Sequence, residues 1–137
     1  MKSSVVLKDG MYFAGELEGL EVPIDADASV GGKNRGPRPK GLLLTSLAGC
    51  TAMDVISILR KMKVEPESFS VEAEADVTTE HPKVFKAIRI VYRLRGKEIA
   101  RDKVEKAVEL SLGRYCGVFA MLSKAAPISH EIVIEER

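Results

Sequence analysis

From Pro39 to Leu59 the chain runs through leucines, alanines, small hydroxyl residues and one cysteine, with no charged side chain between Gly41 and Met53. Apolar or small residues cover every direction of a helical wheel through this segment, the pattern of a helix buried on all sides rather than of an amphipathic surface helix. The rest of the chain is therefore expected to wrap it. Cys50 sits in its middle, where a thiol is either inert packing or a reactive group held in a dry pocket.

A length of 137 residues suits one domain, so residues 1–137 are expected to form a single unit. The net charge of +1 offers no basic excess for a nucleic acid or an anionic membrane. The uncharged run is shorter than the ~18 apolar residues expected of a membrane span, and the N-terminus shows no apolar signal-peptide core. A soluble, cytoplasmic protein is expected. In that compartment Cys50 and Cys116 point to redox chemistry, a metal or plain packing rather than to a disulfide framework.

Three strands are predicted within residues 1–24: Ser3–Leu7, Met11–Leu17 and Leu20–Ile24, the first two joined through Asp9-Gly10. Residues 25–40 have no periodicity and read as a functional loop. Asp25 and Asp27 do not continue into a calcium loop, and Gly31-Gly32-Lys33 is not a phosphate loop. Pro39 opens a helix over 39–62, ended by Lys61, Lys63 and Pro66. Asp54 is the only acid inside it, one turn after Cys50 and on the same face.

The segment 69–95 reads as two strands. In the first, Phe69, Val71, Ala73, Ala75 and Val77 alternate with Glu72, Glu74 and Asp76. In the second, Ile88, Ile90, Tyr92 and Leu94 oppose Arg89, Arg93 and Arg95. Antiparallel pairing would set the acidic face against the basic one, which gives the arginines a structural task. His81 falls in the turn between them. Residues 102–124 form two helices, the first with Val104, Ala107, Val108 and Ser111 on its inner side, broken at Gly113. A last strand covers 128–136. The order β-β-β-α-β-β-α-α-β describes an α+β fold with largely antiparallel sheets around the helix of Cys50.

Two chemical readings follow from the thiols. Cys116 lies near the start of a short helix, which on local grounds makes it the more acidic thiol, while small neighbours around Cys50 leave room for a substrate. One thiol attacking a peroxide and the other condensing with the sulfenic acid would make a thiol peroxidase. Zinc held by Cys50, Cys116, His81 and His130 would lack the usual close ligand spacings, so no metal cofactor is expected.

The segment Pro39–Val55, with Leu47-Ala48-Gly49-Cys50-Thr51, resembles the central-helix motif of the OsmC/Ohr family, the osmotically inducible and organic-hydroperoxide-resistance proteins. Tyr115-Cys116-Gly117-Val118 is similar to its second-cysteine motif, at a matching separation. The resemblance spans nearly the whole chain and points to the broad OsmC-like branch. It implies an intertwined homodimer around two central helices, with Cys50 as the peroxide-attacking thiol, Cys116 as the resolving one, and an external thiol or dithiol as reductant. The family's hydroperoxide reductases also use an arginine from the N-terminal strands and a glutamate just after the helix-opening proline. Here Lys40 and Gly41 follow Pro39, and the first arginine is Arg35. Arg35 or Arg38 is expected to supply the cation instead. The competing expectation is an OsmC-like protein without peroxidase activity that binds a small apolar ligand.

Overall fold

The computed structural model describes residues Met1–Glu136. It contains two compact units, Met1–Leu43 and Leu44–Arg137, with the division falling inside the long helix.

In the first unit, β1 (Ser3–Asp9), β2 (Tyr12–Leu17) and β3 (Leu20–Ile24) form an antiparallel meander. The β1–β2 turn places Gly10 at φ 53°, and the β2–β3 turn places Glu18 and Gly19 at 49° and 84°, the paired left-handed conformation that matches strand twist in tight hairpins. Every residue of β1 is exposed, including Val5, Val6 and Leu7.

The loop after β3 is organised by Asp25, which is 1% exposed. Its carboxylate accepts the backbone N–H of Ala26 at 2.8 Å and those of Lys33 and Arg35 at 3.1 Å. Asp27 caps a 3-10 turn, Ala28–Val30, by accepting from the N–H of Ser29. A side chain at Gly36 would come within 2.6 Å of the Pro23 backbone, so only glycine lets the loop lie this close to β3. The aspartates that could suggest a cation loop thus stabilise the chain's own backbone.

Helix α1 (Pro39–Lys61) begins at a proline, whose missing N–H costs nothing in the first turn. It ends with Lys63 at φ 63°, while Val64 N–H reaches Leu59 O at 2.8 Å and Lys63 N–H reaches Arg60 O at 3.1 Å, a Schellman closure. Leu47, Thr51, Val55 and Leu59 form its buried stripe. The expectation of burial on all sides does not hold within one chain, where Met53 is 73% exposed: the single sheet beneath α1 can cover only one face. The helix is also long and apolar enough to cross a membrane by length and composition, contrary to the expectation from the uncharged run. The reason is that Asp54 alone interrupts it between Lys40 and Arg60.

In the second unit, β4 (Ser68–Val77) pairs antiparallel with β5 (Phe85–Gly96), and β5 pairs in parallel with β6 (Ile128–Glu136). Glu74 lies opposite Arg89 and forms an ion pair with it, and Glu72 meets Arg93 at 3.3 Å. The expected acidic-to-basic strand pairing is present. The parallel pair needs a crossover, supplied by α2 (Arg101–Leu110) and α3 (Gly117–Leu122) with a π turn, Ser111–Tyr115, between them. Asp102 falls inside the first turn of α2 rather than at its cap, which is Ala100. Leu47, Val55 and Leu59 of α1, Ile88, Ile90, Tyr92 and Leu94 of β5, and Val104, Ala107 and Val108 of α2 make the core.

Candidate functional site

Two features of this core bring the cysteines together. Along α1, Cys50 and Asp54 are one turn apart and both half-buried beside the stripe through Thr51. Past α2, the wider π turn redirects the chain so that Cys116 becomes the N-cap of α3. The Sγ atoms of Cys50 and Cys116 and a carboxylate oxygen of Asp54 all lie within 4.8 Å of one another. Both thiols are free. A disulfide of ~2.05 Å would require the sulfurs to approach by under about 3 Å.

The two thiols differ in environment. Cys116 is 3% exposed, whereas Cys50 is only partly buried. Burial pushes the Cys116 thiol up to about 11. The N–H of Phe119, which donates to its Sγ at 3.3 Å, pulls the other way, and contact with Cys50 and the charge of Asp54 push it further up. The helix start therefore does not make Cys116 an acidic thiol as expected from local sequence, because desolvation outweighs it.

A chain of buried hydroxyls holds the carboxylate. Ser111 Oγ donates to Asp54 Oδ2 at 2.9 Å, Thr51 Oγ1 lies 2.7 Å from Ser111 Oγ, and the Tyr92 hydroxyl lies 2.8 Å from Thr51 Oγ1. Each hydroxyl has one proton, so the bond that Ser111 donates to Asp54 fixes the direction: Thr51 donates to Ser111, and Tyr92 to Thr51. Burial pushes the Tyr92 phenol up to about 12, against the hydrogen bond with Thr51, so it remains a donor. Thr51, Tyr92 and Ser111 were not marked by sequence spacing as site residues. The readable signal was a polar group at each of three otherwise apolar faces, those of α1, of β5 and of α2 continued into the π turn.

Arg35 and Arg38 are both tied to residues 9–36. The Arg35 guanidinium meets Asp9 through two hydrogen bonds of 2.9 and 2.7 Å, lies 3.6 Å from Asp25, and stacks 4.7 Å from the centre of the Tyr12 ring. These contacts hold the Asp9 carboxyl below its ordinary value. Arg38 donates to Asn34 Oδ1 at 2.6 Å and to Gly36 O at 3.3 Å, with Asp27 at 3.6 Å. The four-residue zinc set is not assembled. His81 lies in an exposed turn and His130 on the exposed side of β6, so among the described residues the thiols gather Asp54 and neither histidine.

Comparison with known proteins bears on the family and the fold. Protein YhfA of Escherichia coli is 30% identical over 131 residues, covering 95% of each chain. The solved structure of a hypothetical protein from Aquifex aeolicus superposes with a TM-score of 0.81 at 28% identity, over 98% of this chain and 96% of that one. An organic hydroperoxide resistance protein OsmC from Legionella pneumophila shares the fold at a TM-score of 0.70 and 13% identity, over 96% and 95% of the two chains. The family model for OsmC-like proteins matches residues 31–131, which take in α1, the sheet of β4 and β5 and both cysteines. With its long helix carrying one thiol and its crossover carrying the other, the chain belongs to the OsmC-like protein family.

Proposed function

We propose that this protein is a thiol peroxidase that reduces organic hydroperoxides, with Cys50 as the attacking thiol and Cys116 as the resolving thiol. The observation that carries the reading is the pair of free sulfurs within 4.8 Å in unequal environments. Cys50 is the more accessible thiol, while Cys116 is enclosed and remains protonated through neutral pH. Such a pair suits attack followed by condensation. The Cys50 thiolate attacks the terminal peroxide oxygen, an S–O bond forms as the O–O bond breaks, and the alkoxide takes a proton to leave as alcohol. Cys116 then displaces water from the sulfenic acid to give a disulfide. An external thiol or dithiol, as found in a reducing cytoplasm, restores both groups. The name of the Legionella relative supports the choice of substrate class.

The activating cation is assigned within the same proposal to Arg38 or Arg35. Arg35 is held by two carboxylates, so Arg38, with one carboxylate at 3.6 Å, would yield at lower cost. If alkylation of Cys50 proceeds at the wild-type rate in both Arg35→Ala and Arg38→Ala, this assignment is wrong. The working form is proposed to be a homodimer. Exposed Met53 on α1, and exposed Val5, Val6 and Leu7 on β1, are apolar surface that a second copy would cover, and α1 then serves as a dimer core rather than as a membrane span.

Steady-state reduction of cumene hydroperoxide with excess dithiol tests the function. Wild type should turn over, Cys50→Ser should be inactive, and Cys116→Ser should stop at a sulfenic acid that a dione reagent captures. Equal consumption of peroxide by wild type and Cys50→Ser would refute it. Absence of turnover together with a copurified apolar molecule would instead support a ligand-binding protein.

A further inference from the structure

Asp54 has no part in the thiol chemistry proposed above, yet its carboxylate is held against both sulfurs. It brings a hard oxygen donor beside two soft sulfur donors. Two thiol sulfurs and a carboxylate oxygen within 4.8 Å of one another present three donor atoms to one point, and a divalent cation there would neutralise the charge they carry once the thiols give up their protons. We propose that Cys50, Asp54 and Cys116 form a binding site for a thiophilic divalent cation of the zinc class, with a fourth position open to water.

Ligand type and support both fit. Zinc takes thiolate sulfur at ~2.3 Å and carboxylate oxygen at ~2.0–2.2 Å, and three protein ligands with an open position is a recurrent arrangement. A tetrahedron of those lengths needs the three ligand atoms drawn in by no more than about 1.5 Å from their present limit. Hydrogen bonds already orient two of the ligands, as outer-shell partners do in metal sites. Ser111 holds Asp54 Oδ2 at 2.9 Å, which leaves the other oxygen for the metal, and the Phe119 N–H directed at Cys116 Sγ favours its thiolate. Ser111 is itself fixed through Thr51 and Tyr92.

Binding rests on this geometry alone. Its redox consequence rests on the peroxidase reading: one organic hydroperoxide and two protons convert the bound dithiolate into a disulfide, an alcohol and water, and the freed cation departs. Metal and peroxide would then exclude one another.

The test is an anaerobic titration of the reduced full-length protein with Co2+, without peroxide, followed by competition with Zn2+. Thiolate-to-cobalt charge-transfer absorbance should appear, saturate and be displaced by Zn2+. Ser111→Ala should weaken binding by about 10–100-fold. Asp54→Asn, which keeps the shape and can still accept from Ser111, should weaken it by more, and Cys116→Ser should reduce the charge-transfer intensity. Absence of the charge-transfer band, or Asp54→Asn binding as tightly as wild type, overturns the proposal. Because no peroxide is present, a failure here leaves the peroxidase reading standing, and a protein that binds Co2+ but consumes no peroxide fails only that reading.

Discussion

Cys116 shows how burial can reverse what a residue's place in a helix suggests. Its N-cap position and the bond from Phe119 N–H favour a thiolate, but with 3% exposure the desolvation cost dominates. A thiol whose folded pKa lies above its unfolded one holds its proton more tightly when folded. That stabilisation is complete below about pH 8.5 and is lost as the pH rises toward about 11. Under reducing conditions wild type should therefore lose stability across this range more steeply than Cys116→Ser, measured by urea unfolding at several pH values. At pH 8, iodoacetamide should label Cys50 well before Cys116, and faster labelling of Cys116 would contradict the assigned roles. Thr51 is the second informative residue, bridging Tyr92 and Ser111. Thr51→Val should cost about 1–3 kcal/mol by stranding the buried Tyr92 hydroxyl without access to water. Thr51→Ser, which keeps both bonds, should cost clearly less.

Among the elements, the helices and strands were largely legible because their periodicities are strong. The alternation of Phe69–Val77 against Glu72, Glu74 and Asp76 specified both the strand and its charged partner, and the run from Pro39 marked α1. What was not legible depends on contacts distant in sequence. The parallel pairing of β6 with β5 leaves no local signal, and the π turn at Ser111–Tyr115 shows only as an irregularity near Gly113. The site was legible in part. Cys50 with Asp54 follows from helical spacing, whereas Ser111 and Tyr92 join through a hydrogen-bond chain that spacing does not encode. The loop 25–38 was readable as aperiodic but not as ordered, since its order comes from three backbone N–H groups converging on Asp25. The same bonds, led by the Arg35 N–H, hold the Asp25 carboxyl below its ordinary value. The loop should therefore stay ordered from neutral pH down through the ordinary carboxylate range and loosen only below it. Asp25→Ala should speed tryptic cleavage after Lys33 and Arg35 at neutral pH, and unchanged cleavage would show that other contacts hold the loop.

For the whole molecule, the exposed apolar surface is the main physical problem. A helix with a buried stripe on one face and Met53 exposed on another calls for a second covering surface. If a second copy provides it, Met53→Lys should shift the sedimentation of the protein from dimer to monomer while leaving the circular dichroism of the fold intact. A wild type that sediments as a monomer would remove the dimer from the proposal. The chemistry, by contrast, turns on two sulfur atoms in one chain, and it can be read from a single experiment. The reduced protein is exposed to a slight excess of cumene hydroperoxide, quenched with an alkylating agent, and mapped by peptide mass spectrometry. The peroxidase reading predicts loss of both free thiols and a peptide pair joined through Cys50 and Cys116 of the same chain, whereas two alkylated, unoxidised cysteines after peroxide treatment would contradict it.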